Sequence, residues 1–92
     1  MQRCVGNAFS PMNFLYVYIL QSENNTGHFY VGFTTDLQTR LKAHNTGEVP
    51  HTSKYRTWRI ETAIAFTVRE QALEFERYLK SSSGRVFAKK RL

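Results

Sequence analysis

The stretch His28-Phe29-Tyr30-Val31-Gly32-Phe33-Thr34-Thr35-Asp36, continuing as Leu37-Gln38-Thr39-Arg40-Leu41-Lys42-Ala43-His44-Asn45, decides the fold of this chain. Phe29 to Phe33 concentrates aromatic and β-branched residues, which predicts a strand. Gly32 near its end marks a place where something approaches the backbone closely. Thr34, Thr35 and Asp36 then offer N-cap side chains to a helix from Leu37 to His44. Leu37, Arg40, Leu41 and His44 recur at the i, i+3, i+4, i+7 spacing of that helix's inward face. Two of the four inward positions are a permanent cation and a titratable ring, so this face is expected to look onto a site.

Before this stretch, Phe14 to Leu20 predicts a first strand, with Tyr16, Tyr18 and Leu20 on one face and Leu15, Val17 and Ile19 on the other. Apolar character on both faces implies a strand covered on both sides. The turn cluster Asn24-Asn25-Thr26-Gly27 joins it to Phe29–Phe33 as an antiparallel hairpin, which brings Tyr18 and Tyr30 near one another. A tyrosine pair of this kind serves packing as readily as chemistry.

After the helix, Asn45-Thr46-Gly47 reads as a C-cap. Glu48 to Arg59 reads as a polar, basic loop, with Lys54, Arg56 and Arg59 around the only tryptophan, Trp58. Cations interleaved with an aromatic suit phosphate contacts and base stacking; they equally suit a solvated loop anchored by one buried Trp. Ile60 to Val68 predicts a third strand carrying Ile60, Ala63, Ile64 and Phe66. Glu70 to Lys80 predicts a second helix with an apolar stripe of Ala72, Phe75 and Leu79 and with Glu76 inside that stripe. A carboxylate on an inward face needs a partner, because burying an unpaired charge costs several kcal/mol. Arg40 or a divalent cation would serve. Ser81-Ser82-Ser83-Gly84 breaks the helix, and Arg85 to Arg91 forms a short cationic amphipathic tail with Val86 and Phe87 as anchors. The expected architecture is α/β (α+β): a small three-stranded antiparallel sheet flanked by helices, in the order β-β-α-β-α-α.

Ninety-two residues make one small domain, expected to bury roughly 60–65% of its unfolded surface. The net charge of +6 suits a polyanion such as nucleic acid. The single cysteine, Cys4, excludes an intrachain disulfide and a cysteine-based zinc site, and fits a cytoplasmic location. No apolar run approaches the ~20 residues of a membrane span. Residues 1–13 lack periodicity and are expected to be a flexible segment, with Met12 as an alternative start, ahead of a domain over 14–92.

Tyr18 and Tyr30 on a hairpin, Arg40 and His44 on one helix face and Glu76 inward on another form a minimal kit for phosphodiester hydrolysis. It holds a carboxylate for a hard cation, an arginine for a phosphate, and hydroxyl or imidazole groups for proton transfer. Their order along the chain resembles the GIY-YIG nuclease family from Phe14 to Leu92. Tyr16-Val17-Tyr18 stands where the GIY half lies and Tyr30-Val31-Gly32 where the YIG half lies; both keep the tyrosines while changing the apolar neighbours. Arg40 matches the family's helix arginine and Glu76 its metal-binding glutamate. Leu79-Lys80-Ser81, Gly84-Arg85 and Lys89-Lys90-Arg91-Leu92 resemble the small single-domain bacterial branch. Other parts resemble the nuclease modules of the branched-DNA endonuclease and of the bacterial excinuclease.

The resemblance implies a DNA endonuclease of repair or recombination using one Mg²⁺ or Mn²⁺ held by Glu76, with water and phosphate oxygens as the other ligands. Arg40 would bind the phosphate, and Tyr30 would hydrogen-bond the nucleophile or Tyr18. Tyr18 would deprotonate the attacking water if Arg40 and the cation stabilise its phenolate. His44 is the other candidate base because an unperturbed imidazole titrates near neutral pH. Lys54, Arg56, Trp58, Lys80, Arg85 and Lys89 are the expected DNA contacts. Two rival expectations are a non-catalytic nucleic-acid-binding module and a catalytic subunit that needs a protein partner for targeting.

Overall fold

The computed structural model describes residues 14–92. The expectations on the flexible segment, Met12 and Cys4 lie outside the described residues. The elements run β1 (Leu15–Ser22), β2 (Phe29–Thr34), α1 (Leu37–Asn45), α2 (Pro50–Ser53), β3 (Trp58–Phe66), α3 (Arg69–Lys80) and α4 (Ser82–Arg91). This is the expected order with one turn of helix, α2, added inside the segment read as a loop. Pro50 opens that turn at its first position, where its missing N–H and fixed φ fit a helix start.

The sheet has the order β2-β1-β3, with β1 antiparallel to both neighbours. Central placement explains why β1 is apolar on both faces. Leu15, Val17 and Ile19 join Ala72 and Leu79 in one core, with half-buried Val31, Phe33, Phe66, Phe75 and Phe87 around it. Tyr18, Leu20 and Trp58 form the second core, against Tyr30, Leu37, Leu41, Tyr55 and Ile60. In β3 the pairing shifts by one residue: Ile19 faces Thr62, whereas Leu20 faces Ile60. A bulge of this kind flips the side-chain alternation, so Trp58 and Ile60 lie on the Tyr18 side while Phe66, also even-numbered, lies on the Leu79 side.

Local chemistry fixes the helix ends. The Asp36 carboxylate accepts from the Thr39 amide at 3.1 Å and the Thr39 hydroxyl at 2.8 Å, capping α1. Gly47, with φ of +84°, turns the chain away after the α1 C-cap at Thr46. A single residue, Ser81, separates α3 from α4. Its hydroxyl accepts from the Gly84 amide at 3.1 Å and donates to the Tyr78 carbonyl at 2.6 Å. The tail is thus a full helix, anchored by half-buried Phe87 and Ala88. Val86, expected as a second anchor, points away and is exposed. Among the described residues no helix is long and apolar enough to cross a membrane.

Candidate active site

The site is built on the hairpin. Tyr18 on β1 pairs with Gly32 on β2, and its ring lies across that glycine. A Cβ at Gly32 would stand 2.6 Å from the Tyr18 hydroxyl and 3.0 Å from the Tyr30 ring, so glycine is what allows the tyrosine to lie flat on its neighbour strand. The close approach expected at Gly32 is therefore made by Tyr18. The hydroxyl reaches His44 Nε2 at 3.0 Å, and His44 Nδ1 meets Thr52 Oγ1 at 2.7 Å. Tyr18, His44 and Thr52 are all buried. The Tyr30 ring packs 4.9 Å from the His44 ring and 6.3 Å from the Tyr18 ring.

Of the four inward positions expected on α1, His44 is buried and Leu37 and Leu41 are half-buried, but Arg40 is exposed. It nevertheless borders a shallow notch together with Tyr18, Leu37, Leu41 and Ile60, and its charge is close enough to act on the Tyr18 hydroxyl and the His44 ring. Glu76 is inward as expected. Its partner is Lys80, one turn along the same helix, at 2.6 Å; Arg40 does not fill that role. Lys80 is half in solvent, whereas the Glu76 side chain is only 11% exposed, so the carboxylate is held at the boundary of the core.

Burial changes the acid–base character of the cluster. The Tyr18 pKa is raised above the usual phenol value, chiefly by burial, with the charges of Tyr30 and Glu76 acting in the same direction. Arg40 pulls it down, by hydrogen bonding and by its charge, but burial outweighs Arg40. His44 is lowered to about 4, first by burial and then by the Arg40 charge. A resting imidazole tuned to neutral pH is not what the fold provides. At pH 7 the pair is a neutral phenol against a neutral imidazole.

Among the described residues no three His, Cys, Asp or Glu side chains converge as a closed metal cage. A hard divalent cation that keeps most of its waters needs only one or two carboxylates, so the oxygen donor of Glu76 fits such an ion.

The expected DNA contacts separate into three cases. Lys54 and Arg56 are exposed on the segment after α2. Lys80, Arg85 and Lys89 come together along an open groove of about 810 Å³ beside Phe29, Val31 and Leu92. Trp58 is 3% exposed, and its indole N–H donates to the Thr52 carbonyl at 2.8 Å, so it cannot stack on a base. It is a structural anchor. Sequence reasoning missed Thr52 and Asn45 as parts of the site's support. The Asn45 side chain accepts from the Trp58 amide at 2.6 Å and donates to the Trp58 carbonyl at 3.0 Å, imitating a strand partner. Pro50 was the one local signal that the segment turns into a helix beneath His44.

A family model for the GIY-YIG catalytic domain matches residues 14–91, nearly all of the described chain. The chain belongs to the GIY-YIG catalytic-domain family. Among GIY-YIG relatives, a UPF0213 protein of Halalkalibacterium halodurans is 35% identical over 71 residues, covering 76% of this chain and 73% of that protein. The structure-specific endonuclease subunit SLX1 of Scheffersomyces stipitis is 38% identical over 72 residues, 70% of this chain but 21% of that protein. The solution NMR structure of a UPF0213 protein from Bacillus halodurans superposes with a TM-score of 0.51 at 32% identity, covering 83% of this chain and 80% of that one. The GIY-YIG frame therefore holds the hairpin, α1 and α3 that carry Tyr18, Tyr30, Arg40, His44 and Glu76.

Proposed function

We propose that this GIY-YIG domain is a metal-dependent endonuclease that hydrolyses DNA phosphodiester bonds, acting in the cytoplasm in repair or recombination. The observation that carries the reading is the Tyr18–His44 hydrogen bond, a buried proton-sharing pair beside Arg40 and Glu76. Plain packing does not require a phenol and an imidazole to be desolvated together.

Arg40 makes no ion pair among the described residues and acts on the Tyr18 hydroxyl, and its five-donor planar fork can meet that hydroxyl and the non-bridging oxygens of a phosphate together. Tyr18 is the group that meets the attacking water. Because its own proton is held tightly, it acts through exchange: the water's proton passes to the phenolic oxygen as the Tyr18 proton passes to His44 Nε2. Neutral His44, with a pKa of about 4, is open to receive that proton at pH 7. Tyr30 packs against the imidazole and restricts its rotation. Glu76 would hold Mg²⁺ or Mn²⁺, which when bound supplies electrostatic stabilisation of the leaving oxygen and the phosphoryl charge. Lys54 and Arg56 are proposed as DNA contacts. The likeness to a structure-specific endonuclease subunit supports branched or structured DNA as substrate and a protein partner for targeting.

The groove of Lys80, Arg85 and Lys89 also suits a module that binds nucleic acid without cutting it. The inward placement of the Glu76 carboxylate, which binding of a polyanion does not require, argues against that reading. The test is cleavage of end-labelled single-stranded, duplex, flap and four-way-junction DNA with Mg²⁺ or Mn²⁺, comparing wild type with Glu76→Ala. Cleavage by wild type alone, with DNA binding kept in both, is the expected result. Cleavage by both removes Glu76 from the site. Binding without cleavage in both supports the binding module or a missing partner.

A further inference from the structure

We propose that Thr52 is a positioning residue that sets the tautomer of His44, leaving Nε2 bare to take the Tyr18 proton. The kinetic consequence rests on the nuclease reading; the tautomer itself does not. A threonine hydroxyl has one proton to give. Thr52 Oγ1 lies 3.2 Å from the Val49 carbonyl and 2.7 Å from His44 Nδ1. A carbonyl oxygen only accepts, so the Val49 contact uses that one proton. Oγ1 then presents a lone pair to the ring, and Nδ1 carries the imidazole's single proton. Nε2 is left as an acceptor, and the 3.0 Å contact to Tyr18 runs from phenol to imidazole. The reverse tautomer would aim an N–H at the phenol and block the transfer.

The fold around Thr52 is organised to hold it there. Pro50 starts α2, and Thr52 is its third residue. The Trp58 indole grips the Thr52 carbonyl from β3, and Asn45, next to His44 on α1, grips the backbone of Trp58. Three elements thus converge so that one hydroxyl sits under one ring nitrogen. The other polar and charged neighbours of the imidazole are Tyr18 from β1, Tyr30 from β2 and Arg40 from its own helix. Among the described residues Thr52 is the hydrogen-bond partner of Nδ1.

In the rival arrangement the Thr52 hydroxyl donates to Nδ1, and the Val49 carbonyl keeps only the amides of Thr52 and Ser53, each at 3.1 Å. Long-range ¹H–¹⁵N spectra of the full chain at pH 7, without DNA or metal, separate the two. His44 is assigned by its loss in His44→Gln. The expected spectrum shows a protonated Nδ1 and a bare Nε2; a protonated Nε2 overturns the proposal. Thr52→Val should abolish the preference for the Nδ1–H form, and Thr52→Ser should restore it. If Thr52→Val keeps the wild-type spectrum, the proposal also fails. With cleavable DNA, Thr52→Val is expected to lower kcat about 10–100-fold, the usual reach of outer-shell partners, with KM unchanged. A chain that cuts no DNA at all contradicts the nuclease reading while leaving the spectrum to decide the tautomer.

Discussion

Along β1, neighbouring residues live in different chemistries. Leu15, Val17 and Ile19 meet Ala72, Leu79 and a ring of phenylalanines, with no hydrogen-bonding side chain among them. Tyr18 and Leu20 meet Trp58, Tyr30 and Tyr55, with His44 and Thr52 bonded into the same layer. Burial helps the first face, at roughly 25 cal/mol per Å² of apolar surface. On the second face it also works against the fold, since each desolvated hydroxyl, ring nitrogen and indole N–H must find a partner. Side-chain alternation lets one strand carry both, so the dry face can offset what the polar face costs. Along β1, stability and the Tyr18–His44 proton chemistry therefore separate by residue parity, while Glu76 enters the site from the edge of the dry face on α3, and substitutions should sort accordingly.

The sharpest separation comes from Arg40→Ala, which removes an exposed cation from the edge of the polar face and no buried side chain. Cleavage should fall about 10³-fold or more, roughly 4 kcal/mol, as for other phosphate-binding arginines, with little change in the unfolding midpoint. A loss below tenfold would make Arg40 a surface residue. Leu79→Ala should do the opposite. Urea unfolding should show about 2–5 kcal/mol less stability, while kcat in native buffer is retained. A large kcat loss at intact stability would mean that the two faces are coupled.

A smaller effect follows from His44. Its pKa is 6.5 when the chain is unstructured and about 4 in the fold, so as pH falls the unfolded chain takes up the proton first. The stability from the neutral ring is complete above pH 6.5, declines between 6.5 and 4, and is gone below. The slope cannot exceed one proton, about 1.4 kcal/mol per pH unit. Denaturant melts across this window should show the slope in wild type and lose it in His44→Gln. The same slope in both would place the titration elsewhere.

Much of this arrangement was legible in the chain. Two-sided apolar alternation identified β1 as covered on both faces, and helical spacing turned His44 and Glu76 inward. Gly32 announced a close approach before its occupant was known. What stayed hidden depends on long-range geometry. Trp58 amid cations reads as a stacking residue until the β3 bulge shows that it faces the core. Thr52 carries no signal until α2 places it beneath a ring. For Glu76 the spacing suggests Arg40 or a divalent cation as partner, and the ion pair the fold makes is with Lys80 at i+4, because spacing shows a need for a partner without showing which contact the fold selects. The acid–base reading changed most. The ordinary pKa of a solvated imidazole favoured His44 near neutrality, and burial, whose depth helical spacing does not give, moved both partners away from it.

The central claim is that the Tyr18 hydroxyl handles the proton of the attacking water, and the most direct measurement is the single-turnover cleavage rate of Tyr18→Phe. The substitution removes one buried oxygen and leaves the ring over Gly32. The account predicts a rate at least about 100-fold below wild type at pH 7, the usual reach of a positioned proton-transfer group, with DNA affinity unchanged. A rate within a few-fold of wild type would contradict it and return Tyr18 to the core as packing.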